Sequence, residues 1–491
     1  MEIFREHEEG LRLGYERRSP DVRIAMVNYF QALLSGILLF LGFAPFEYWI
    51  APFLGIALLF RVLSEKDFGL RFSLALISGL GFFLPLLHWS STYVGSIPWL
   101  VLATGQSLIF AAIALTRWRL TIVSAIGFAA IFTLVEILRM KAPFGGFGWG
   151  RVGFTQLSSL GMVYPLVGVT GVSLIVALAS VASLSKLRIV ISLLLITASA
   201  LMGQLISQED NDKDTLQITA IQGGVDRLGF EFNDRALRVL ERHIAATKTV
   251  SNTRLYIWPE NASDVDPFKN QEANSLIGDL VMTLNAPLLI GAVEQSPQGP
   301  QNSSLLIDTS VRLVSRYIKQ DLAPFGEYMP VRKLSESVSS YAKQVTDFVS
   351  GERWIRHSID GKTFQSLICF EILDDDHAKA GLKGVAFAVA QTNNATFGRS
   401  TEAAQQLQIT RSRAAESGRD FAVVSTTGYT AHIDSTGKTL ETSPQFAQTE
   451  LTMQVALAHE DKETPAQKLN SGIWVVALLG LYLFSRMGLS R

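Results

Sequence analysis

Three residues of complementary chemistry stand at the ends of β-rich runs in the second half of this sequence. Glu260 ends the run in "LYIWPEN", Lys319 ends that in "RYIKQ", and Cys369 ends "FQSLIC". A thiol attacks acyl carbons, a carboxylate accepts its proton, and an ammonium group stabilises the thiolate and the oxyanion that forms. Ligands of α/β sheets bind just beyond the carboxyl ends of the strands. The three residues together therefore predict acyl transfer through a cysteine.

Each of these residues taken alone also has a structural explanation. A glutamate or lysine at a strand end is usually a solvated loop residue, and a lone cysteine is more often packed than reactive. Histidine is the usual base for a catalytic thiol, but the nearest of the seven histidines is His377, more than five residues from Cys369. The base is therefore expected to be Glu260, with Lys319 lowering the pKa of the thiol.

The composition of the 491 residues narrows the class of protein. A net charge of −1 gives no indication of a nucleic-acid partner. A single cysteine excludes an intramolecular disulfide and any cysteine-rich metal site. The histidines are scattered and no phosphate-binding glycine loop is found, so neither a metal nor an organic cofactor is expected.

The hydrophobic residues, 48% of the chain, are concentrated before residue 210 and after residue 470. They form stretches with the length of membrane-spanning helices. The stretches lie near 24–42, 47–63, 71–92, 96–116, 120–138, 162–183, 187–206 and 471–487. The sequence therefore predicts an α-helical bundle of eight spans.

The positions of lysine and arginine predict the orientation of these spans. The N-terminal segment, alternate loops and the C-terminal tail are basic, whereas the short loops around Pro45 and Ser96 carry no lysine or arginine. Both termini are therefore expected in the cytoplasm and the large domain outside. The expected regions are a cytoplasmic segment 1–23, a seven-span domain 24–209, an extracytoplasmic domain 210–465, and a last span with a short tail, 466–491.

In the expected extracytoplasmic region, β-rich runs alternate with amphipathic helices. "LQITAIQGG", "LYIWPEN", "APLLIGAVE", "FQSLICFE" and "VAFAVAQTNN" are typical of strands, and "SSLLIDTSVRLVSRYIKQ" is typical of a hairpin turning near Asp308. Helices are expected over 231–249, over 271–285, and from Ser400 to about Gly418. This alternation predicts an α/β domain.

Two loops contain residues that are candidates for lipid contact. The loop 143–156, rich in glycine and aromatic residues, is either an interfacial re-entrant segment or a connector anchored by Trp149. The loop 331–360 is either a mobile lid, whose Phe348 or Trp354 touches lipid, or a packed excursion. The sequence leaves both pairs of alternatives open.

These motifs resemble the carbon–nitrogen hydrolase (nitrilase) superfamily. Over nearly the whole chain they resemble more closely the bacterial apolipoprotein N-acyltransferase family. "WPENA" carries Glu260, "YIKQDLAPFGEYMP" carries Lys319 and Glu327, and "LICFE" carries Cys369 and Glu371. The resemblance implies a catalytic triad of Glu260, Lys319 and Cys369, supported by the two further glutamates.

The loop motif "GFGWGRVGFTQ" also resembles that family, through Trp149 and Gln156, both candidates for lipid contact. The chain departs from the family's pattern at Phe370 (usually Tyr, expected to support the site), Asn394 (Asp), Thr396 (Trp) and Gln406 (His). These replacements resemble the actinobacterial branch of the family.

The resemblance implies an α-β-β-α nitrilase-like domain facing the periplasm or exterior, and a two-step acyl transfer at the bacterial plasma membrane. Cys369 takes a fatty acyl chain from a phospholipid of the bilayer, which leaves a lysophospholipid and a thioester. The α-amino group of a diacylglyceryl-cysteine on an apolipoprotein then attacks this thioester. The enzyme is expected to act as a monomer without a cofactor.

Two other functions stay open at this point. A membrane-tethered amidase would use the same triad and resolve the thioester with water, although it has no need for seven spans. A non-catalytic scaffold for a polyprenol-phosphate mannosyltransferase is the other alternative. Retention of Glu260, Lys319 and Cys369 argues against the scaffold, whereas Asn394 and Thr396 argue weakly for it.

Overall fold

The computed structural model describes residues 23–93, 95–182, 214–225, 236–338, 340–343 and 345–489. Within these ranges the chain forms an apolar helical bundle and an α/β domain with two sheets. The expected span near 187–206 lies outside the described residues, as does the segment 1–22.

The helices of the described ranges are numbered along the chain. Their bounds are α1 Arg23–Phe40, α2 Ile50–Leu63, α3 Phe68–Leu86, α4 Ser96–Phe110, α5 Ile122–Lys141, α6 Leu157–Leu160, α7 Tyr164–Ala182, α8 Arg238–Ala246, α9 Gln271–Leu284, α10 Arg332–Val338, α11 Asp375–Gly381, α12 Glu402–Ser417 and α13 Ser471–Leu489.

Several of these helices have the length and composition of membrane spans. In the described part of the chain five are long and apolar enough to cross a bilayer: Arg23–Phe40, Phe68–Leu86, Ser96–Leu115, Ile122–Lys141 and Leu157–Ala182. The helix α2 and the part Ser471–Met487 of α13 are apolar but shorter. Several apolar helices are thus confirmed, whereas the count of eight spans and their orientation stay predictions.

The last helix of the chain joins the bundle formed by the first half. Leu478 of α13 is buried in one cluster with Ala130 and Ile137 of α5. The two helices approach closely where Gly127 faces Ser485, since a Cβ at Gly127 would come within 2.4 Å of the Ser485 hydroxyl oxygen. The apolar helices before and after the α/β domain therefore form a single bundle.

The α/β domain contains two six-stranded sheets. Their strands are β1 Thr215–Gln222, β2 Leu255–Ile257, β3 Leu288–Ser296, β4 Gly299–Ile307, β5 Leu313–Ile318, β6 His357–Ile359, β7 Lys362–Ile368, β8 Phe387–Thr392, β9 Phe421–Ser425, β10 Ala431–Ile433, β11 Thr439–Thr442 and β12 Thr449–Ala456. The strand orders are β12-β1-β2-β3-β4-β5 and β11-β10-β9-β8-β7-β6.

Each sheet has a parallel centre and antiparallel edges. The strands β1, β2 and β3 run parallel in the first sheet, and β7, β8 and β9 in the second. Parallel strands are covered on both faces and are therefore apolar along their whole length. The strand β8, "FAVAQT", is buried at every position.

The two sheets stack face to face between helices. Ile218 and Leu289 of the first sheet share a buried cluster with Phe364 and Val389 of the second. The outer face of the first sheet packs on α8 and α9, and the outer face of the second packs on α12. The expected α-β-β-α order of layers is confirmed.

The core of the second sheet is continuous with the core of the bundle. Leu367 of β7 and Val423 of β9 belong to the same buried cluster as Phe43 and Phe82 of the bundle. This face of the second sheet is therefore packed against the helices of the bundle.

A cluster of buried charges crosses this junction. Arg151, from the loop after α5, forms an ion pair with Asp375, the first residue of α11. Asp375 also pairs with Arg413 of α12 at 2.8 Å, and Arg413 pairs with Glu416 at 2.6 Å. Nε of Arg413 donates to the carbonyl oxygen of Ile372 at 2.7 Å. Buried charges require partners, and these partners come from both parts of the molecule.

The strands and helices expected within the described part of the domain are found there, but the short strand β6, the strand β12 and the short helices α10 and α11 were missed. The hairpin over "SSLLIDTSVRLVSRYIKQ" is β4 and β5, and the helix expected to end near Gly418 is α12. The strand β12 was not predicted. It pairs antiparallel with β1, from Thr215 opposite Ala456 to Gln222 opposite Thr449.

Candidate active site

The residues singled out in the sequence lie beyond the carboxyl ends of three strands. Glu260 follows β2, Lys319 follows β5 directly, and Cys369 follows β7 directly. Nζ of Lys319 lies 3.3 Å from Oε1 of Glu260, and both side chains are almost fully buried. Cys369 is partly buried, and the charges of Glu260 and Lys319 both act on its thiol.

Lys319 lies between two carboxylates. Besides Glu260, its Nζ contacts a carboxylate oxygen of Glu327 at 2.9 Å. Burial lowers the pKa of Lys319, but the negative charges of Glu327 and Glu260 outweigh this effect and hold the pKa well above its usual value. The ammonium group is therefore charged at any physiological pH.

Asn302 connects the two carboxylates and was not found from the sequence. Its Nδ2 donates to Oε1 of Glu260 at 2.6 Å and to Oε1 of Glu327 at 3.1 Å, while its backbone carbonyl oxygen accepts from the backbone N–H of Lys319 at 2.8 Å. The predicted hairpin contained the signal: Ser303 lies opposite Ile318, so Asn302 must lie beside Lys319.

Glu260 is positioned through its other oxygen as well. Oε2 of Glu260 accepts from the backbone N–H of Asn393, just after β8, at 2.9 Å. Burial raises the pKa of this carboxyl group, although the charge of Lys319 opposes the rise. A carboxylate with a raised pKa is a better proton acceptor than a solvated one.

Cys369 occupies a strained turn held by Glu371. Its φ is 51°, in the left-handed region, which costs a residue with a side chain about 1–2 kcal/mol. Oε2 of Glu371 accepts from the backbone N–H of Ile368 at 2.7 Å. Oε1 accepts from the backbone N–H of Gln320 at 2.8 Å and from the hydroxyl of Tyr317 at 2.6 Å. Glu371 therefore ties the cysteine turn to the segment around Lys319.

The expectation of a lowered pKa for the Cys369 thiol is wrong. Burial raises the pKa of Cys369 well above its usual value and the negative charge of Glu260 raises it further, while Lys319 acts in the opposite direction. The resting group is therefore a neutral thiol, because Lys319 is already neutralised by two carboxylates. The arrangement suits loss of the thiol proton during attack rather than before it.

Aromatic residues of the loop 143–156 pack against the turn that carries Cys369. The ring of Phe370 lies 6.1 Å from that of Phe147, which is stacked at 6.2 Å on Trp149. Trp149 is buried against Trp89 and donates from Nε1 to Oε1 of Gln405 at 2.7 Å. The loop is therefore packed between the bundle and the turn that carries Cys369.

The other candidates for lipid contact lie in different surroundings. Gln156 is buried and donates to the carbonyl oxygen of Trp49 at 3.0 Å. The backbone N–H of Phe348 donates to the carbonyl oxygen of Glu327 at 2.7 Å. Trp354 stacks on Tyr317, with ring centroids 5.3 Å apart. The segment carrying Phe348 and Trp354 thus contacts residues next to the site.

The comparisons with known proteins agree with this architecture. Residues 35–182 match the apolipoprotein N-acyltransferase N-terminal domain family, and residues 217–462 match the carbon-nitrogen hydrolase family. The apolipoprotein N-acyltransferase of Mycolicibacterium smegmatis is 30% identical over 89% of this chain and 81% of its own length. That of Haemophilus influenzae is 28% identical over 94% and 95%.

Among solved structures, a CN-hydrolase superfamily protein from Xanthomonas campestris aligns with 49% of this chain and 91% of its own, at 15% identity and a TM-score of 0.38. The two family matches and the full-length relatives lead to one assignment. This chain belongs to the apolipoprotein N-acyltransferase family, with a carbon–nitrogen hydrolase domain joined to several apolar helices.

Proposed function

We propose that this chain transfers a fatty acyl chain from a membrane phospholipid, through a thioester on Cys369, to the α-amino group of an apolipoprotein's diacylglyceryl-cysteine. The observation that carries the proposal is the place of Cys369, at the junction between a carbon–nitrogen hydrolase domain and an apolar bundle. Both substrates are anchored in lipid, so a site at this junction is where they can reach a thiol.

In the first step, Sγ of Cys369 attacks the ester carbonyl carbon while the thiol proton passes to Glu260. The ammonium group of Lys319 stabilises the oxyanion that develops. The ester C–O bond then breaks, and the departing lysophospholipid oxygen takes the proton from Glu260. Glu327 positions Lys319 in this step, and Glu371 positions the turn that carries the sulfur.

In the second step, the amine of the lipoprotein attacks the thioester carbon and gives a proton to Glu260. The C–S bond breaks, the amide is formed, and the thiolate of Cys369 recovers the proton from Glu260. The thioester retains the activation of the original ester, so the transfer needs no ATP and no cofactor. An amidase would instead deliver water to the same thioester.

The proposal includes a place in the cell. Eight spans, with 1–23 and the C-terminal tail in the cytoplasm, would place the domain within 210–465 on the outer face of the bacterial plasma membrane. The distribution of lysine and arginine supports this orientation. The chain would act as a monomer, since the site is assembled from residues of a single chain.

Lipid contacts around the site also belong to the proposal. The stack of Phe370, Phe147 and Trp149 gives the acyl chain an apolar wall next to the sulfur. Phe348 and Trp354 would approach lipid from the other side, as parts of a segment that moves when substrate binds. Gln156 would act through the loop that it helps to fix rather than by touching lipid directly.

The intact mass of the protein purified from membranes tests the proposal. We expect an added fatty-acyl mass that neutral hydroxylamine removes and that Cys369→Ala lacks. Incubation of the acylated protein with a diacylglyceryl-cysteine peptide should transfer that mass to the peptide amine. A Cys369 that stays unmodified after incubation with phospholipid would contradict acyl transfer, and release of free fatty acid in the presence of the peptide would favour the amidase.

A further inference from the structure

A buried row of polar side chains runs from the start of α12 to the sulfur of Cys369. Nε2 of Gln406 donates to Sγ of Cys369 at 3.5 Å. Oε1 of Gln406 accepts from Nδ2 of Asn394 at 2.9 Å, and the same Nδ2 donates to Oε2 of Glu402 at 2.7 Å. Gln406, Asn394 and Glu402 are exposed by only 4%, 3% and 1%. The polar atoms of this row therefore depend on neighbouring protein groups, rather than on solvent, for their hydrogen bonds.

Two hydroxyl groups on the side away from α12 fix the orientation of the Asn394 amide. Its Oδ1 accepts from the hydroxyl of Thr392 at 3.1 Å and from the hydroxyl of Ser425. The Ser425 oxygen accepts from the backbone N–H of Gly428 at 2.8 Å, so its own hydrogen is available to Asn394. An amide oxygen only accepts and both hydroxyls can donate to it, so this arrangement places Oδ1 on this side and Nδ2 toward α12.

This orientation determines which end of Gln406 meets the sulfur. Nδ2 of Asn394 is a donor, so the atom of Gln406 that contacts it must be the carbonyl oxygen. The amide nitrogen of Gln406 is then the atom at Sγ. An N–H group at this position favours negative charge on sulfur over the neutral thiol.

We propose that Gln406 is a further catalytic residue of the acyl transfer. Its amide N–H stabilises the negative charge that the Cys369 sulfur carries while attacking the phospholipid ester and while leaving the thioester, and Asn394 is the positioning residue that holds the amide in this orientation. This role rests on the proposed acyl transfer, whereas the hydrogen bond itself can be tested on the free thiol.

Charged and titratable groups from several elements face the same sulfur. They are Glu260 after β2, Lys319 and Glu327 after β5, and Glu402 on α12. Burial raises the pKa of Glu402 to about 8, so this carboxyl group is mostly protonated at neutral pH and adds little negative charge beside the thiol. The charge of Lys319 is balanced by the carboxylates of Glu260 and Glu327. A neutral donor at Sγ therefore adds a stabilisation of the thiolate that the cation alone does not supply.

The test measures how alkylation of the thiol depends on pH. The full-length protein in detergent is first treated with hydroxylamine to free Cys369, then with iodoacetamide at a series of pH values, and alkylation is read from the intact mass. The hydrogen bond from Gln406 stabilises the thiolate more than the thiol, so its loss in Gln406→Leu should raise the pH of half-maximal alkylation by about one unit. At a fixed pH, this shift corresponds to a roughly tenfold loss of thiolate. Gln406→His, which restores a ring N–H, should return it toward the wild-type value.

The neighbouring glutamine supplies a matched control. Gln405 is equally buried on the same helix but bonds Trp149 and not the sulfur, so Gln405→Leu should leave the midpoint unchanged. Asn394→Leu, which frees Gln406 to rotate, should give a smaller upward shift, and Gln406→Met replaces Gln406→Leu if the latter does not fold.

An unchanged midpoint in Gln406→Leu, or an equal shift in Gln405→Leu, would overturn the role of Gln406. Neither result would bear on the proposed acyl transfer, which is tested separately by the added fatty-acyl mass that hydroxylamine removes.

Discussion

The carboxylate of Glu371 accepts a hydrogen bond from the hydroxyl of Tyr317 at 2.6 Å in the interior of the protein. Tyr317 lies on β5 two residues before Lys319, and Glu371 lies two residues after Cys369. One contact therefore joins the turn that carries Cys369 to the strand that leads into Lys319. The relative placement of sulfur and ammonium depends on this link.

Glu371→Ala should slow thioester formation without abolishing it. The change leaves the backbone N–H of Ile368 and the Tyr317 hydroxyl without their acceptor, and the strained turn loses its support. We expect the rate to fall roughly 10- to 100-fold, which corresponds to about 1.4–2.7 kcal/mol. The time course of acylation by intact mass measures this, with Glu371→Gln as a milder control. Full activity in Glu371→Ala would show that Glu371 is only a structural loop residue.

Lys319→Met should abolish thioester formation and also lower the melting temperature. The cation is lost from between the buried carboxylate of Glu260 and the partly buried one of Glu327, and breaking a buried ion pair from one side costs about 3–5 kcal/mol. Adding Glu327→Gln to this variant removes one of the stranded charges and should recover part of the melting temperature. Acylation of the double variant would contradict an oxyanion role for Lys319, because only stability should be restored.

Glu260→Gln should separate the reactivity of the thiol from acyl transfer. The negative charge of Glu260 raises the pKa of Cys369, so its removal should lower the pH of half-maximal alkylation by iodoacetamide. Thioester formation should nevertheless be lost, because glutamine cannot accept the thiol proton. An alkylation midpoint that rises, or acylation that continues, would exclude Glu260 as the base.

Glu402 should make stability depend on pH. Burial raises the pKa of Glu402 from 4.5 to about 8 in the folded protein. Between these values the unfolded chain releases the proton while the folded protein keeps it, so stability is lost as pH rises through this window. The melting temperature of the wild type should therefore fall relative to that of Glu402→Gln between about pH 5 and about pH 8. Parallel curves would show that Glu402 is already ionised at the lower pH.

Much of the domain could be predicted because its signals are local. The apolar runs of β7 and β8 indicate strands covered on both faces, and Gly418, with a φ of 63°, ends α12 as expected. The strand β12, "TELTMQVA", was missed although it alternates polar and apolar residues as an edge strand does. Its place beside β1 depends on a pairing across more than two hundred residues.

The supporting residues of the site were harder to predict, for a related reason. Glu260, Lys319 and Cys369 are distinguished by type and by their position at strand ends. Asn302 and Glu402 contribute only because β4 is paired with β5 and α12 is packed on the second sheet. The raised pKa of Cys369 also depends on burial, which no single motif reveals.

The ion cluster at the junction of bundle and domain has a consequence for protein engineering. Arg413 binds the carbonyl oxygen of Ile372, in the turn that starts with Cys369, and shares Asp375 with Arg151 from the loop after α5. A truncated version that began at β1 would contain every strand of the α/β domain but leave the Asp375 carboxylate without Arg151, one of its two arginines. The helices are thus more than a membrane anchor, because the loop after α5 supplies a charge that supports the turn of Cys369. A soluble form of the domain would need a substitution that replaces this charge.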